Sequence, residues 1–89
     1  MMRLEIYIAN QCTNCEEALL IAERARGIAG LEVAVIDLDT PGQNVPTRIV
    51  AVPTYLLNGR VVSLGNPRRE EFLVLLRTEL RRQIEEKAL

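Results

Sequence analysis

"IANQCTNCEEALL", residues 8–20, marks the point where a strand-like pattern gives way to a helical one. Before it, Leu4, Ile6 and Ile8 alternate with other side chains, which is the period of a β-strand with one buried face. After it, apolar residues recur three or four positions apart over residues 13–26, as they do on one face of a helix. The stretch therefore predicts a strand over 3–9 followed directly by a helix, with Cys12 and Cys15 at the junction.

The next segments extend this pattern. Residues 31–39, "LEVAVIDLD", are mostly apolar and rich in β-branched side chains, which predicts a parallel strand covered on both faces. Strand, helix and strand then form a right-handed βαβ unit. A short helix is expected over residues 44–50, with Asn44 as its N-cap and Pro46 in its first turn.

The last third of the chain predicts a hairpin and a long helix. Residues 53–65 hold two short apolar runs joined by Asn58-Gly59, the dipeptide that favours a tight type I′ turn. Asn66 is expected to cap the final helix and Pro67 to open it.

The predicted element order is β-α-β-α-β-β-α in a single domain over residues 1–89. It indicates an α/β fold with a central four-stranded mixed sheet flanked by helices. Because the second strand has no polar face, we expect helices on both faces of the sheet.

The charge balance excludes some classes of partner. The 89 residues include 11 basic and 12 acidic side chains, so the net charge is −1 and the basic excess of a nucleic-acid-binding or membrane-surface protein is missing. Glu5 interrupts the first apolar run, and no apolar stretch reaches the length of a secretory signal core or a membrane span. We expect a cytoplasmic protein, in which two neighbouring cysteines are more often catalytic or metal-binding than structural.

The spacing of Cys12 and Cys15 leaves three chemistries open. With Cys12 as N-cap and Cys15 one turn further on, a disulfide is permitted, and the free N–H groups of the helix start favour a thiolate on Cys12. Glu16 and Glu17 oppose that thiolate. The pair is a redox couple, half of a four-thiolate zinc or iron–sulfur site completed across a dimer, or an inert pair of thiols. With no His in the chain, two thiolates cannot close a tetrahedral site alone, and no metal or cofactor is assigned.

Pro53, in "VAVPTYLL" (residues 50–57), stands at the entry to a predicted strand. Because proline cannot donate to a sheet ladder, one interpretation is an edge or first-residue position. The other is a cis Val52–Pro53 bond that leaves the backbone groups of Val52 free for a partner.

A strand, a C-x-x-C pair that opens a helix, and a V-P-T sequence that enters a hairpin some forty residues later together resemble the thioredoxin superfamily. The resemblance is closest to its short glutaredoxin-like members. Further matching features recur in register over nearly the whole chain: Pro41-Gly42, Ile49, Asn58-Gly59 and Gly65.

This resemblance implies a thiol-disulfide oxidoreductase. Cys12 would be the nucleophile that attacks a protein disulfide, and Cys15 the resolving thiol. Pro53 would be cis, with the Val52 backbone pairing with an extended substrate. Thr54 would complete that loop, and the substrate site would include Thr13 and Asn14. The implied electron donor is a thioredoxin-reductase-like enzyme or glutathione.

The chain also departs from that family. Thioredoxins carry W-C-G-P-C and a buried acid on the preceding strand, whereas Gln11, Thr13 and Asn14 surround Cys12 here and Ile6 takes the place of the acid. The basic residue and the Gly-Gly-Asp sequence with which glutaredoxins hold glutathione are missing too. Protein disulfides are therefore expected as substrates ahead of glutathione. A thioredoxin-fold interaction module with an inert cysteine pair is the remaining alternative.

Overall fold

Four strands and two helices form in the order β-α-β-β-β-α in the computed structural model, which describes residues 2–43, 45–47, 49 and 51–88. The strands are β1 (Met2–Ile8), β2 (Leu31–Asp37), β3 (Thr54–Leu57) and β4 (Arg60–Leu64). The helices are α1 (Cys15–Ala25) and α2 (Arg69–Ala88).

The strands form one mixed sheet in the order β2-β1-β3-β4, which confirms the predicted four-stranded α/β fold. β1 runs parallel to β2 and antiparallel to β3, and β3 runs antiparallel to β4. Tyr7, near the end of β1, lies opposite Thr54, the first residue of β3. The carboxyl ends of β1 and β2 and the start of β3 therefore share one edge of the sheet, and this edge carries the cysteines.

The core lies between one face of this sheet and both helices. Met2, Leu4 and Ile6 are fully buried on one face of β1, as their alternation predicts. Tyr55 and Leu57 of β3 lie opposite Ile6 and Leu4 and so point the same way. One contiguous cluster joins these strand residues to side chains of α1 and α2: Ala18, Ile21, Ala22, Ala25, Phe72, Leu73 and Leu76.

Residues 45–47 and 49 do not form the helix that was expected over 44–50. Positions 44, 48 and 50, including the predicted N-cap Asn44, lie outside the described residues. The described part holds one turn, in which the Ile49 N–H donates to the Pro46 carbonyl at 3.1 Å. A helix this short gains too few hydrogen bonds to offset nucleation unless an apolar face is buried.

Both helices in the described part pack on the same face of the sheet, because their buried side chains share one cluster with the same face of β1 and β3. Helices on both faces of the sheet were expected.

The hairpin between β3 and β4 has the turn that its sequence predicts. Asn58 has φ +50° and Gly59 has φ +84°, and a type I′ turn requires positive φ at both positions. The Asn58 N–H donates to the Arg3 carbonyl, and the Asn58 Oδ1 accepts from the Arg3 N–H, both at 2.8 Å. The turn is thus tied to β1 as well as to its own strands.

Candidate functional site

The start of α1 differs by two residues from the prediction. The helix begins at Cys15, and its N-cap is Asn14, whose side chain makes no capping hydrogen bond. Cys12 therefore lies before the helix and does not occupy the N-cap position that was considered for it. The Cys15 N–H donates to the Cys12 carbonyl at 3.2 Å, so a turn through Thr13 and Asn14 precedes the first helical residue.

Cys12 and Cys15 are joined by a disulfide, with their Cα atoms 5.3 Å apart. The two residues are unequal in access. Cys15 is 5 % exposed, whereas Cys12 is only partly buried. Thr13 and Asn14, which complete the loop, are both exposed. An attacking group from solution therefore reaches the Cys12 side of the disulfide first.

The loop before β3 lies at the same edge of the sheet. The Val52–Pro53 peptide bond is cis, as the resemblance implies. Pro53 is buried and its carbonyl accepts from the Gly65 N–H at 2.8 Å, while the buried Thr54 donates its hydroxyl to the Ala51 carbonyl at 2.6 Å. Val52 is partly buried, and among the described residues its backbone groups have no hydrogen-bond partner.

An ion pair that sequence reasoning missed lies just beyond the cysteines. Both oxygens of the Glu17 carboxylate accept from Arg69, at 2.8 and 3.0 Å. This two-point contact lowers the pKa of Glu17 and raises the pKa of Arg69. Arg69 therefore neutralises the charge of Glu17, one of the two acidic residues expected to oppose a thiolate. The other, Glu16, lies exposed.

The position that holds a buried acid in thioredoxins is apolar here. Ile6 is fully buried in the core, and Thr54 is the one buried polar or charged residue in the described part of the chain. The described residues therefore supply Cys15 with no buried carboxylate as a general base.

A second missed feature is a hydrogen-bonded chain that ends between the two cysteines. The Tyr55 hydroxyl donates to the Asn66 Oδ1, and the Asn66 Nδ2 donates to the Asn14 carbonyl, both at 2.7 Å. Burial, with a smaller effect from the Glu17 charge, raises the pKa of Tyr55, so its hydroxyl stays protonated. The Asn66 side chain is thus engaged away from α2, which begins at Arg69. The prediction that Asn66 caps that helix is wrong.

The segment before Cys12 is held from β2. The Asn10 N–H donates to the Asp39 carboxylate at 2.6 Å, and the Leu38 N–H donates to the Ile8 carbonyl at 2.8 Å. These contacts extend the β1-β2 pairing past the ends of both strands. These two hydrogen bonds could not be predicted from the local sequence, because the partners in each lie about thirty positions apart.

Comparisons with known proteins agree with this geometry. A family profile described as "Thioredoxin domain" matches residues 2–77. No curated protein matches the chain.

In the described residues, no cluster of three or more acidic or cysteine side chains is arranged to hold a metal ion. None of the described helices combines the length and apolar character needed to cross a membrane.

Proposed function

Because this chain belongs to the thioredoxin domain family and carries a disulfide-forming cysteine pair, we propose that it is a thiol-disulfide oxidoreductase acting on protein disulfides. The observation that carries the proposal is the unequal burial of the pair. An accessible Cys12 suits attack on a bulky substrate, and a buried Cys15 suits an internal second step.

The reaction is two successive exchanges. In the reduced protein, the Cys12 thiolate attacks one sulfur of the substrate disulfide, whose S–S bond breaks and releases a substrate thiolate that takes a proton from water. Cys15 then loses its proton to water, and its thiolate attacks the Cys12 sulfur. The mixed disulfide breaks, and the second substrate sulfur leaves as a thiolate that takes a proton from water. Two electrons pass to the substrate, which leaves as a dithiol, and the Cys12–Cys15 disulfide forms.

Substrate recognition is proposed for the edge of the sheet around Val52, Pro53 and Thr54. The backbone groups of Val52, which have no hydrogen-bond partner among the described residues, can pair with an extended substrate segment in the manner of an added strand. Thr13 and Asn14 are exposed next to Cys12 and would contact the residues that flank the substrate disulfide. This arrangement favours an unfolded or loop-borne disulfide, because only an extended segment can pair with backbone groups.

The electron donor must return two electrons to the Cys12–Cys15 disulfide. A thioredoxin-reductase-like enzyme fits the proposal better than glutathione. Arg69 is bound by Glu17, and Arg68 lies 3.4 Å from Glu71, so both arginines around the start of α2 are paired. A glutathione carboxylate would have to break one of these pairs to be bound.

The test is reduction of insulin by the pre-reduced protein, with Cys15→Ser and Cys12→Ser as a matched pair. We expect the wild-type chain to reduce insulin and Cys15→Ser to stop at a covalent adduct with it. That adduct is seen by mass spectrometry and released by dithiothreitol. Cys12→Ser should form none.

Two results would contradict the proposal. A folded wild-type chain that turns over neither insulin nor glutathione disulfide would favour the interaction module. Anaerobically purified protein with zinc or iron bound by the thiolates of two chains would favour the metal site.

A further inference from the structure

The backbone between the two cysteines is held by a side chain from the far end of the hairpin. The Asn14 carbonyl is the first acceptor of α1, and it receives the Ala18 N–H at a long distance of 3.4 Å. It also receives the Asn66 Nδ2 at 2.7 Å. The shorter contact at this carbonyl therefore comes from outside the helix.

The orientation of the Asn66 amide follows from its two partners. A carbonyl only accepts, so the Nδ2 must face Asn14, and the Oδ1 then faces Tyr55. The Tyr55 hydroxyl donates to that oxygen at 2.7 Å. Tyr55 is itself fixed, because its ring is fully buried and meets the Phe72 ring edge-on with the ring centres 5.2 Å apart. The core of the sheet thus orients the amide that contacts the cysteine loop.

We propose that Asn66 is a positioning residue for thiol-disulfide exchange, which it serves by holding the Asn14 carbonyl and so the loop that carries Cys12 and Cys15. Tyr55 acts through Asn66 by orienting its amide. The role rests on the proposed function, since it concerns the same cysteine pair. Neither residue is required to touch the substrate.

The expected effect is on the equilibrium between dithiol and disulfide. A loop fixed from outside holds the two sulfurs close before the bond forms, which raises their effective concentration. Without the Asn66 contact, the dithiol form explores more conformations, and disulfide closure becomes less favourable. For Asn66→Ala we expect the equilibrium constant for disulfide formation against glutathione to fall about three- to tenfold, equivalent to a potential about 14 to 30 mV less negative.

The experiment equilibrates each protein in glutathione buffers and counts alkylated cysteines by mass spectrometry. Asn66→Ala is compared with Tyr55→Phe, which keeps the ring and removes the hydroxyl. Tyr55→Phe should shift the equilibrium in the same direction by a smaller factor, and it serves as the test variant if Asn66→Ala does not fold. Ile28→Val is the control for lost stability, because Ile28 is buried in the core after the end of α1. Urea unfolding of the oxidised proteins measures stability in parallel.

The inference stands if Asn66→Ala, or Tyr55→Phe where Asn66→Ala does not fold, shifts the equilibrium by more than Ile28→Val does. It is overturned if the two variants shift it no more than Ile28→Val does, because the contact would then be structural only. The readout does not depend on turnover. A wild-type chain that turns over neither insulin nor glutathione disulfide therefore contradicts the proposed function alone, and an unchanged equilibrium in an active enzyme contradicts this inference alone.

Discussion

At the scale of single residues, the Glu17–Arg69 pair neutralises one of the two acidic side chains that follow Cys15 in the sequence. Glu17 lies two positions after Cys15, and its carboxylate is bound by Arg69 of α2. Because its pKa is lowered on folding, the pair's contribution to stability is full above the ordinary value of 4.5 and is lost as the pH falls through the folded-state pKa. At neutral pH, where thiolates react, the pair is intact.

Replacing Arg69 should make the reduced cysteines less reactive. Arg69→Ala leaves the Glu17 charge uncompensated beside the site and disfavours the thiolate. One unit charge several ångströms away in a water-like dielectric corresponds to a fall of about two- to threefold in the rate of Cys12 alkylation at pH 7. The measurement is the iodoacetamide rate of the reduced protein across pH.

Two variants test whether charge is the cause. Glu17→Gln removes the carboxylate and leaves Arg69, so the alkylation rate should rise. Arg82→Ala removes a cation from the same helix, at a position held by Glu79 and Glu86. Since Arg82 lies about 20 Å along the helix from Arg69, beyond the screening length, the rate should stay unchanged. Equal falls in Arg69→Ala and Arg82→Ala would rule out a local effect.

At the scale of the elements, the β3-β4 hairpin depends on its turn. Gly59 has φ +84°, where a Cβ meets the following carbonyl, so Gly59→Ala should cost about 1 to 2 kcal/mol of unfolding free energy. Gly27→Ala is the matched control. Gly27 does not have positive φ, and an added Cβ would come only within 3.4 Å of the Arg24 carbonyl. Urea unfolding measures both, and equal costs would mean that the turn conformation is not responsible.

Elements with strong local signals were predictable from the sequence. β1 follows from the alternation of Leu4 and Ile6, and the hairpin follows from Asn58-Gly59, because in each case neighbouring residues dictate the backbone. The start of α2 was placed too early, since a local cap and a long-range hydrogen bond compete for the same Asn66 side chain. The local pattern cannot show that Tyr55 and Asn14 are the partners it finds.

In the candidate site too, features with a local sequence signal were predictable, and those that depend on long-range contacts were not. The cysteine pair and Pro53 stand out as motifs, and the resemblance to thioredoxins predicts that they lie close together. From the sequence, Arg69 cannot be distinguished from other surface charges, because its partner Glu17 lies 52 positions away. Only the packing of α2 beside α1 brings these two together, and a single sequence does not carry that pairing.

At the scale of the whole molecule, one core supports both helices and therefore the site. α1 presents Cys15 at its first residue, while its buried side chains share a cluster with those of α2 and the sheet. The backbone at Gly30 also lies close to α2, since an added Cβ there would be 3.2 Å from the Leu80 side chain. A domain of this size has a net stability of about 0.05 to 0.15 kcal/mol per residue, so one core side chain is a large fraction of the total.

Leu76 provides the sharpest test of that shared core. It is fully buried on α2, so Leu76→Ala should lower the unfolding free energy by about 2 to 5 kcal/mol through lost burial and the cavity left behind. The neighbouring Leu75 is 44 % exposed, and Leu75→Ala should cost less than about 1 kcal/mol. Urea unfolding of the oxidised proteins, with unchanged m-values, compares the two. If Leu75→Ala costs as much as Leu76→Ala, then α2 does not pack on the sheet through the face described, and the Arg69–Glu17 contact that depends on that packing would have to be reassigned.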